Sequence, residues 1–258
     1  MSKKKIAICG KGGSGKSTVV ALLAHALRDR GFRVLVVDAD ESNPGLHRML
    51  GMEKRPQPLL ELVGGKRKVF QAFSDESESP DSVLTRERIA TSDLPSEFVE
   101  QHRGIRLVCV GKILQSLEGC ACPMGALSRE FLNRLWLQDD EVALVDTEAG
   151  IEHFGRGVET SVDTVIAVTE PSFDSIELSA KIGALAAEVG LDGKLAILNK
   201  VRSEELGSKL RHDLQKRGLA VIGSIGYEPE VFDAALEGRP VRGGRLETDI
   251  ARILDQLL

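Results

Sequence analysis

The chain has 258 residues, 42% of them hydrophobic, which is enough to build a sizeable core. A formal net charge of −5 and an aromatic content of 4% argue against nucleic-acid binding by bulk charge or by base stacking. No apolar run approaches the ~20 residues that cross a bilayer, and the N-terminus lacks the long apolar region of a signal peptide.

Apolar runs alternate with helical patterns along the whole length. Strands are expected over Ile6–Cys9, Val34–Val37, Arg106–Val110, Val142–Val145, Thr164–Val168, Leu195–Leu198 and Ala220–Ile225. Helices are expected over Val19–Arg30, Ala126–Leu137, Ile176–Val189, Glu204–Lys216, Glu230–Leu236 and Glu247–Leu257. Several strands are apolar without alternation, as in a parallel sheet covered on both faces. The pattern predicts a doubly wound α/β fold, a mostly parallel sheet with helices on both faces. We expect a single domain over residues 1–258 with a polar insertion at about 52–105. Ligands of such sheets sit beyond the carboxyl ends of the strands.

The first strand runs into Gly10-Lys11-Gly12-Gly13-Ser14-Gly15-Lys16-Ser17-Thr18 and then a helix. The spacing is G-x-x-x-x-G-K-S, a P-loop, in the strand–loop–helix setting it requires. Gly12, Gly13, Ser14 and Gly15 let successive backbone N–H groups converge on one point, and the helix aims its positive end there. Phosphate oxygens suit that point. Lys16 can reach the β- and γ-phosphates of ATP, Ser17 can ligate Mg²⁺, and Thr18 can donate to a phosphate deeper in the loop. Lys11 is not required by an ordinary P-loop and reads either as a solvated charge or as a further functional group. The short basic runs Lys3-Lys4-Lys5 and Lys66-Arg67-Lys68 read as solvated surface.

The second strand ends at Asp38-Ala39-Asp40, two acids beside the phosphate site. They suggest metal or water handling, with Asp40 the better catalytic candidate; its alternative role is to cap the turn around Asn43 and Pro44. Within the insertion, Ser74-Asp75-Glu76-Ser77-Glu78-Ser79-Pro80 is polar, and reads as a partner-contacting loop or as solvated decoration. Cys9 and Cys109 lie in apolar strands and read as inert core residues. Cys120 and Cys122 differ: they sit one residue apart in a turn bounded by Gly119 and Pro123. As thiolates they can share one metal, although two ligands do not complete a site. A two-fold dimer would bring four, suiting tetrahedral Zn²⁺ or square-planar Ni²⁺. The alternative is an incidental reduced pair.

Asp146 ends another apolar strand, where a Walker B acid would hold Mg²⁺ through water. Gly150, four residues on, can give its N–H to the γ-phosphate and act as a switch hinge. His153 stands alone in sequence, and a structural role is read ahead of a metal role. Asn199 follows a late strand and offers the donor–acceptor pair that adenine needs. The segment 226–231, with Pro229, is placed to close the other side of the base. Asp249 and Asp255 in the last helix, with few cations, do not make a basic membrane-surface helix. We expect a cytoplasmic protein with reduced cysteines and with no nucleic-acid or membrane partner.

The run Lys11-Gly12-Gly13-Ser14-Gly15-Lys16-Ser17 resembles the deviant Walker A motif of the MinD/ParA and nitrogenase iron-protein class of dimerising ATPases. That resemblance makes Lys11 a signature lysine that crosses a dimer interface to the partner's nucleotide, as an arginine finger does. It makes Asp40 the switch I acid that orients water, and Asn199 the adenine reader. Asp146 to Glu152 is similar to the switch II pattern D-x-x-A-G-I-E, with Glu148 where proline is usual. Together with the Cys120-x-Cys122 pair and residues 148–157, the chain looks like a CooC-type nickel-insertion ATPase. The resemblance implies a homodimer formed on ATP, Ni²⁺ held across it (Zn²⁺ in vitro), and hydrolysis that resets the dimer. It implies a client nickel enzyme, carbon monoxide dehydrogenase or the related acetyl-CoA synthase. Three rival classes stay open, the blandest a metal-free regulatory ATPase. An iron–sulfur carrier of the nitrogenase type needs a further cysteine about where His153 stands. A MinD/ParA-like positioning ATPase needs a membrane or DNA surface.

Overall fold

A computed structural model describes residues 5–65, 68–69, 86–111, 122–155, 157–191 and 194–258, with the main chain alone at 122, 123 and 155. Eight strands form one sheet: β1 (Lys5–Gly10), β2 (Arg33–Asp38), β3 (Glu100–His102), β4 (Ile105–Cys109), β5 (Glu141–Asp146), β6 (Thr164–Thr169), β7 (Lys194–Val201) and β8 (Ala220–Gly226). Their order is β3-β4-β2-β5-β1-β6-β7-β8. All neighbours are parallel except β3 and β4. The described α-helices are α1 (Lys16–Asp29), α2 (Leu46–Met49), α3 (Leu59–Leu62), α4 (Cys122–Arg134), α5 (Glu152–Gly155), α6 (Phe173–Glu188), α7 (Glu204–Lys216), α8 (Pro229–Glu237) and α9 (Glu247–Leu257).

Successive side chains of a strand point to opposite faces, and β1 shows both. Ile6 and Ile8 enter one core with Val19, Leu23 and Leu27 of α1 and Ile250 and Ile253 of α9. Ala7 and Cys9 enter the other with Leu127 and Phe131 of α4 and Ile176 and Ile182 of α6. Both faces are thus covered by helices, and the expected doubly wound α/β fold is the fold observed.

Register fixes where the chemistry collects. Ile8 and Asp38 both lie opposite Asp146, and Gly10 lies opposite Val168. The ends of β1, β2, β5 and β6 therefore converge on the P-loop, which leaves β1 at Gly10.

Two features differ from the sequence expectation. Edge strand β3 carries only Glu100, Gln101 and His102, too short and polar to show a strand pattern. It pairs antiparallel with β4 through a two-residue turn in which Arg103 (φ 46°) and Gly104 (φ 84°) are both left-handed, the geometry of the tightest hairpins. The stretch 52–105 is also less detached than its composition suggests. Leu59, Leu60, Ile89, Leu94 and Phe98 all join the core that α4 covers. A group as short as Leu59-Leu60-Glu61-Leu62-Val63 and single residues such as Ile89 set no sustained period, so their burial is not legible in the sequence.

Ile89 is fully buried and bridged to α4's end: its N–H donates to the Arg134 carbonyl at 2.8 Å, and its carbonyl accepts from Trp136 N–H at 2.9 Å. Ile89→Ala should cost ~2–4 kcal/mol in chemical denaturation, whereas a decorative loop residue would cost under ~0.5 kcal/mol.

Candidate functional site

The loop from Gly10 to Ser17 turns tightly because Ser14 N–H donates to the Lys11 carbonyl at 3.1 Å. Gly15 caps α1 in the left-handed region (φ 92°). A Cβ there would stand 2.3 Å from Asn199 Nδ2, so only glycine fits. This cap starts α1 at Lys16, earlier than apolar periodicity shows. Lys16 is buried at 6% exposure, and its ammonium faces the Lys11 carbonyl at 3.4 Å. Gly12 and Gly13 are exposed at the mouth, and Thr18 is half-buried in the first turn of α1.

Below the loop lies a cluster of acids. Ser17 donates to Asp146 Oδ2 at 2.6 Å, and Asn43 Nδ2 donates to Ser17 Oγ at 2.7 Å. Asp146 is wholly buried, and its other oxygen, Oδ1, has no hydrogen-bond partner among the described residues. Burial, then the charge of Asp38, pushes the Asp146 carboxyl up from 3.8 to about 7; Asp40 adds to the rise, while Ser17 and Lys16 oppose it. A hydroxyl, an orphaned carboxylate oxygen and two further buried acids form a hard-oxygen set that fits Mg²⁺. Asp38 belongs to this set although sequence spacing favoured Asp40. Asp40 Oδ1 accepts from Ser42 N–H at 2.8 Å and Ser42 Oγ at 2.6 Å. Its turn-capping role is thus visible in the geometry, one residue nearer than expected.

Three candidates sit differently from the simplest expectation. Gly150 N–H donates to the Gly10 carbonyl at 3.2 Å, so in this arrangement the hinge is latched to β1 rather than offered to a γ-phosphate. Lys11 lies near acids of its own chain, 3.9 Å from Glu170 and 3.8 Å from Asp174. Asn199 Nδ2 donates to the Ser14 carbonyl at 2.8 Å and thereby braces the loop from β7. Pro229 opens α8 as its first residue, just after Tyr227, whose ring carries the Arg202 guanidinium at 4.9 Å. Cys120 lies outside the described residues. Cys122 is the first residue of α4, its side chain likewise outside the description.

Sequence reasoning missed Glu170 and Lys200. Lys200 is left-handed (φ 59°) and bonds both the Gly13 carbonyl and Glu170, the latter at 2.9 Å. Glu170 thus faces two lysines at the loop's mouth. Only the Asn199-Lys200 step after an apolar strand hinted at this. Among the described residues, no helix is long and apolar enough to cross a membrane.

A glycine-rich loop at a helix start, a buried lysine over it and a serine–aspartate pair below define a P-loop nucleotide-binding α/β protein. Residues 5–241 match the CobQ/CobB/MinD/ParA nucleotide binding domain. The chain belongs to that family and is a P-loop ATPase. It is 41% identical over 251 residues to an uncharacterized ATP-binding protein of Methanocaldococcus jannaschii, covering 97% of this chain and 99% of the relative. It is 36% identical over 200 residues to the carbon monoxide dehydrogenase accessory protein CooC of Rhodospirillum rubrum, covering 77% of this chain and 75% of that one. Among solved structures, the septum site-determining protein MinD complexed with Mg-ADP, from Pyrococcus horikoshii, superposes with a TM-score of 0.70 at 18% identity, covering 100% of this chain and 96% of that one.

The raised Asp146 value has a sign that can be tested. Its native carboxyl holds a proton more tightly than the unfolded one between 3.8 and about 7, so deprotonation costs native stability across that window. In protein freed of nucleotide and divalent ions, wild type should lose stability relative to Asp146→Asn as pH rises from about 4 to about 8. The gap should reach roughly 2–4 kcal/mol in denaturant melts, and a gap independent of pH would contradict the assignment.

Proposed function

We propose that the chain is a cytoplasmic, ATP-driven metallochaperone. It forms a homodimer around ATP and Mg²⁺ and holds Ni²⁺ between the Cys120-x-Cys122 pairs of the two copies. Hydrolysis then releases the dimer, and the nickel serves carbon monoxide dehydrogenase or the related acetyl-CoA synthase. The reading rests on the relationship to CooC and on one structural observation. The helix that begins at Cys122 shares a wall with the switch segment after Asp146: Gly125 and Ser128 of α4 line the same small cavity as Thr147, Glu148 and His153. A shift of the switch that follows Asp146 would change the cavity it shares with the sulfur-bearing helix.

The residues take roles that follow from their places. The N–H groups of Gly12, Gly13, Ser14 and Gly15 cradle the phosphates, and Lys16 swings from the Lys11 carbonyl to the β- and γ-oxygens. Thr18 holds a deeper phosphate, and Asn199 with the segment at Pro229 flanks the base. Ser17 and Asp146 would hold Mg²⁺, which when bound would supply positive charge to the phosphates. Asp40 orients the attacking water.

Lys11 leaves Glu170 and Asp174 for the partner's γ-phosphate. Asp174 has 78% of its side chain exposed, so this ion pair is weak and easily exchanged. Phe173 beside it is 72% exposed, an apolar residue on the face that would meet the second copy. Gly150 gives up the Gly10 carbonyl in the closed state and turns its N–H to the γ-phosphate. Only contacts that differ between open and closed states can shift the balance, and these exchanges are such contacts.

Lys11→Ala should bind ATP with affinity near wild type, stay monomeric on sizing with ATP, and lose at least ~10³-fold in turnover. Normal turnover would refute a role in trans. Wild type with ATP should bind one Ni²⁺ per dimer, and Cys120→Ser/Cys122→Ser should lose that tight site. Equal tight binding by both proteins would refute the thiolate assignment. An iron-dependent colour in anaerobic protein would favour the cluster-carrier reading instead, and pelleting with liposomes or DNA the positioning reading.

A further inference from the structure

Cys9 and His153 read as unrelated in the sequence, an inert core thiol and a lone imidazole. The fold brings them together with Glu159. Cys9 lies in β1 one residue before the P-loop, His153 lies in α5, and Glu159 lies in the 3₁₀ turn Val158–Ser161. Their exposures are 0%, 3% and 1%. One ligand atom from each, thiol sulfur, imidazole nitrogen and carboxylate oxygen, fall within 4.8 Å of one another. His153 Nδ1 contacts Glu159 Oε1, and the imidazole also interacts with Cys9.

We propose that Cys9, His153 and Glu159 form a metal site within each chain, separate from the Cys120-x-Cys122 pair, for a late first-row divalent cation of the Zn²⁺ or Co²⁺ class. Two observations carry it. The donors are one sulfur, one nitrogen and one oxygen, the mixed set that borderline-soft cations take and that Mg²⁺ and Ca²⁺ do not. Glu159 Oε2 is buried with no hydrogen-bond partner among the described residues, a state that costs free energy unless something accepts its lone pairs. On binding, the Cys9 thiol proton and the second imidazole proton leave to solvent.

Three protein donors leave a fourth position. The cavity shared by α4 and the switch, about 10 Å³ in volume, opens beside His153, room for about one water. Thr147 Oγ1 and Ser128 Oγ stand at its wall, the latter buried and without a partner among the described residues. A water there would hydrogen-bond this wall on the His153 side of the site. Because His153 lies three residues past Gly150, and Gly150 is latched to Gly10, an ion here would tie the switch to the P-loop strand.

The test uses the full chain carrying Cys120→Ser/Cys122→Ser, so that any thiolate signal comes from elsewhere, titrated with Co²⁺ alone. The expected result is one Co²⁺ per chain with thiolate-to-cobalt charge-transfer absorption, bleached by stoichiometric Zn²⁺. Adding Cys9→Ser should abolish the charge-transfer band, and adding His153→Gln should weaken Co²⁺ binding by on the order of 100-fold. Circular dichroism establishes that each variant is folded. If Cys9→Ser fails that control, the His153→Gln titration decides. No charge-transfer absorption in the parent variant, a band that survives Cys9→Ser, or binding unchanged by His153→Gln overturns the proposal.

Discussion

The hydrogen bond between Ser17 and Asp146, 2.6 Å long, joins the first turn of α1 to the end of a central strand. It holds the P-loop over three buried acids that repel one another. That arrangement is poised rather than relaxed: Asp146 is driven toward neutrality by burial and by Asp38. A hard dication held by this set would offset that repulsion. The stability of the fold and its use of nucleotide therefore meet in one cluster, and the rest of the site can be read outward from it.

Outward along β5, the chain after Asp146 forms the switch. Thr147 Oγ1 donates to the Ile8 carbonyl at 2.9 Å, and Gly150 N–H to the Gly10 carbonyl at 3.2 Å. Both bonds fasten the switch to the strand that feeds the P-loop. The same segment lines a small cavity with Gly125 and Ser128 of α4, the helix that begins at Cys122. Packed elements with two arrangements transmit small shifts because interiors do not deform continuously. On the other side of the loop, Glu170 faces Lys11 at 3.9 Å and bonds Lys200 at 2.9 Å. A γ-phosphate is a stronger partner for an ammonium than a partly exposed carboxylate, so on the proposed reading occupancy of the site would draw Lys11 away by ordinary charge competition.

What the sequence revealed follows from how local each feature is. The P-loop was legible because its function lies in nine contiguous residues with a forced backbone path. The seven longer strands were legible because a sheet buried on both faces leaves unbroken apolar runs. Helix starts were less so: α1 opens at a glycine cap before its apolar stripe. Strand β3 was illegible because three polar residues at an edge need bury nothing. The core contribution of 52–105 was hidden among polar neighbours. Contacts across the sheet were beyond reach: nothing in spacing pairs Cys9 with His153, 144 positions away, or Lys11 with Glu170. Parallel sheets bring such distant positions together through their crossovers, and only the register shows which ones meet.

The central claim is that triphosphate and the paired sulfurs are thermodynamically linked. Linkage is reciprocal: the factor by which a non-hydrolysable ATP analogue tightens Ni²⁺ binding must equal the factor by which Ni²⁺ tightens the analogue. Calorimetric titration of all four arms of that box, at one protein concentration and with Mg²⁺ present, measures it directly. The account predicts a matched factor well above one, on the order of 5- to 150-fold. Nickel binding of equal strength with and without the analogue would contradict it.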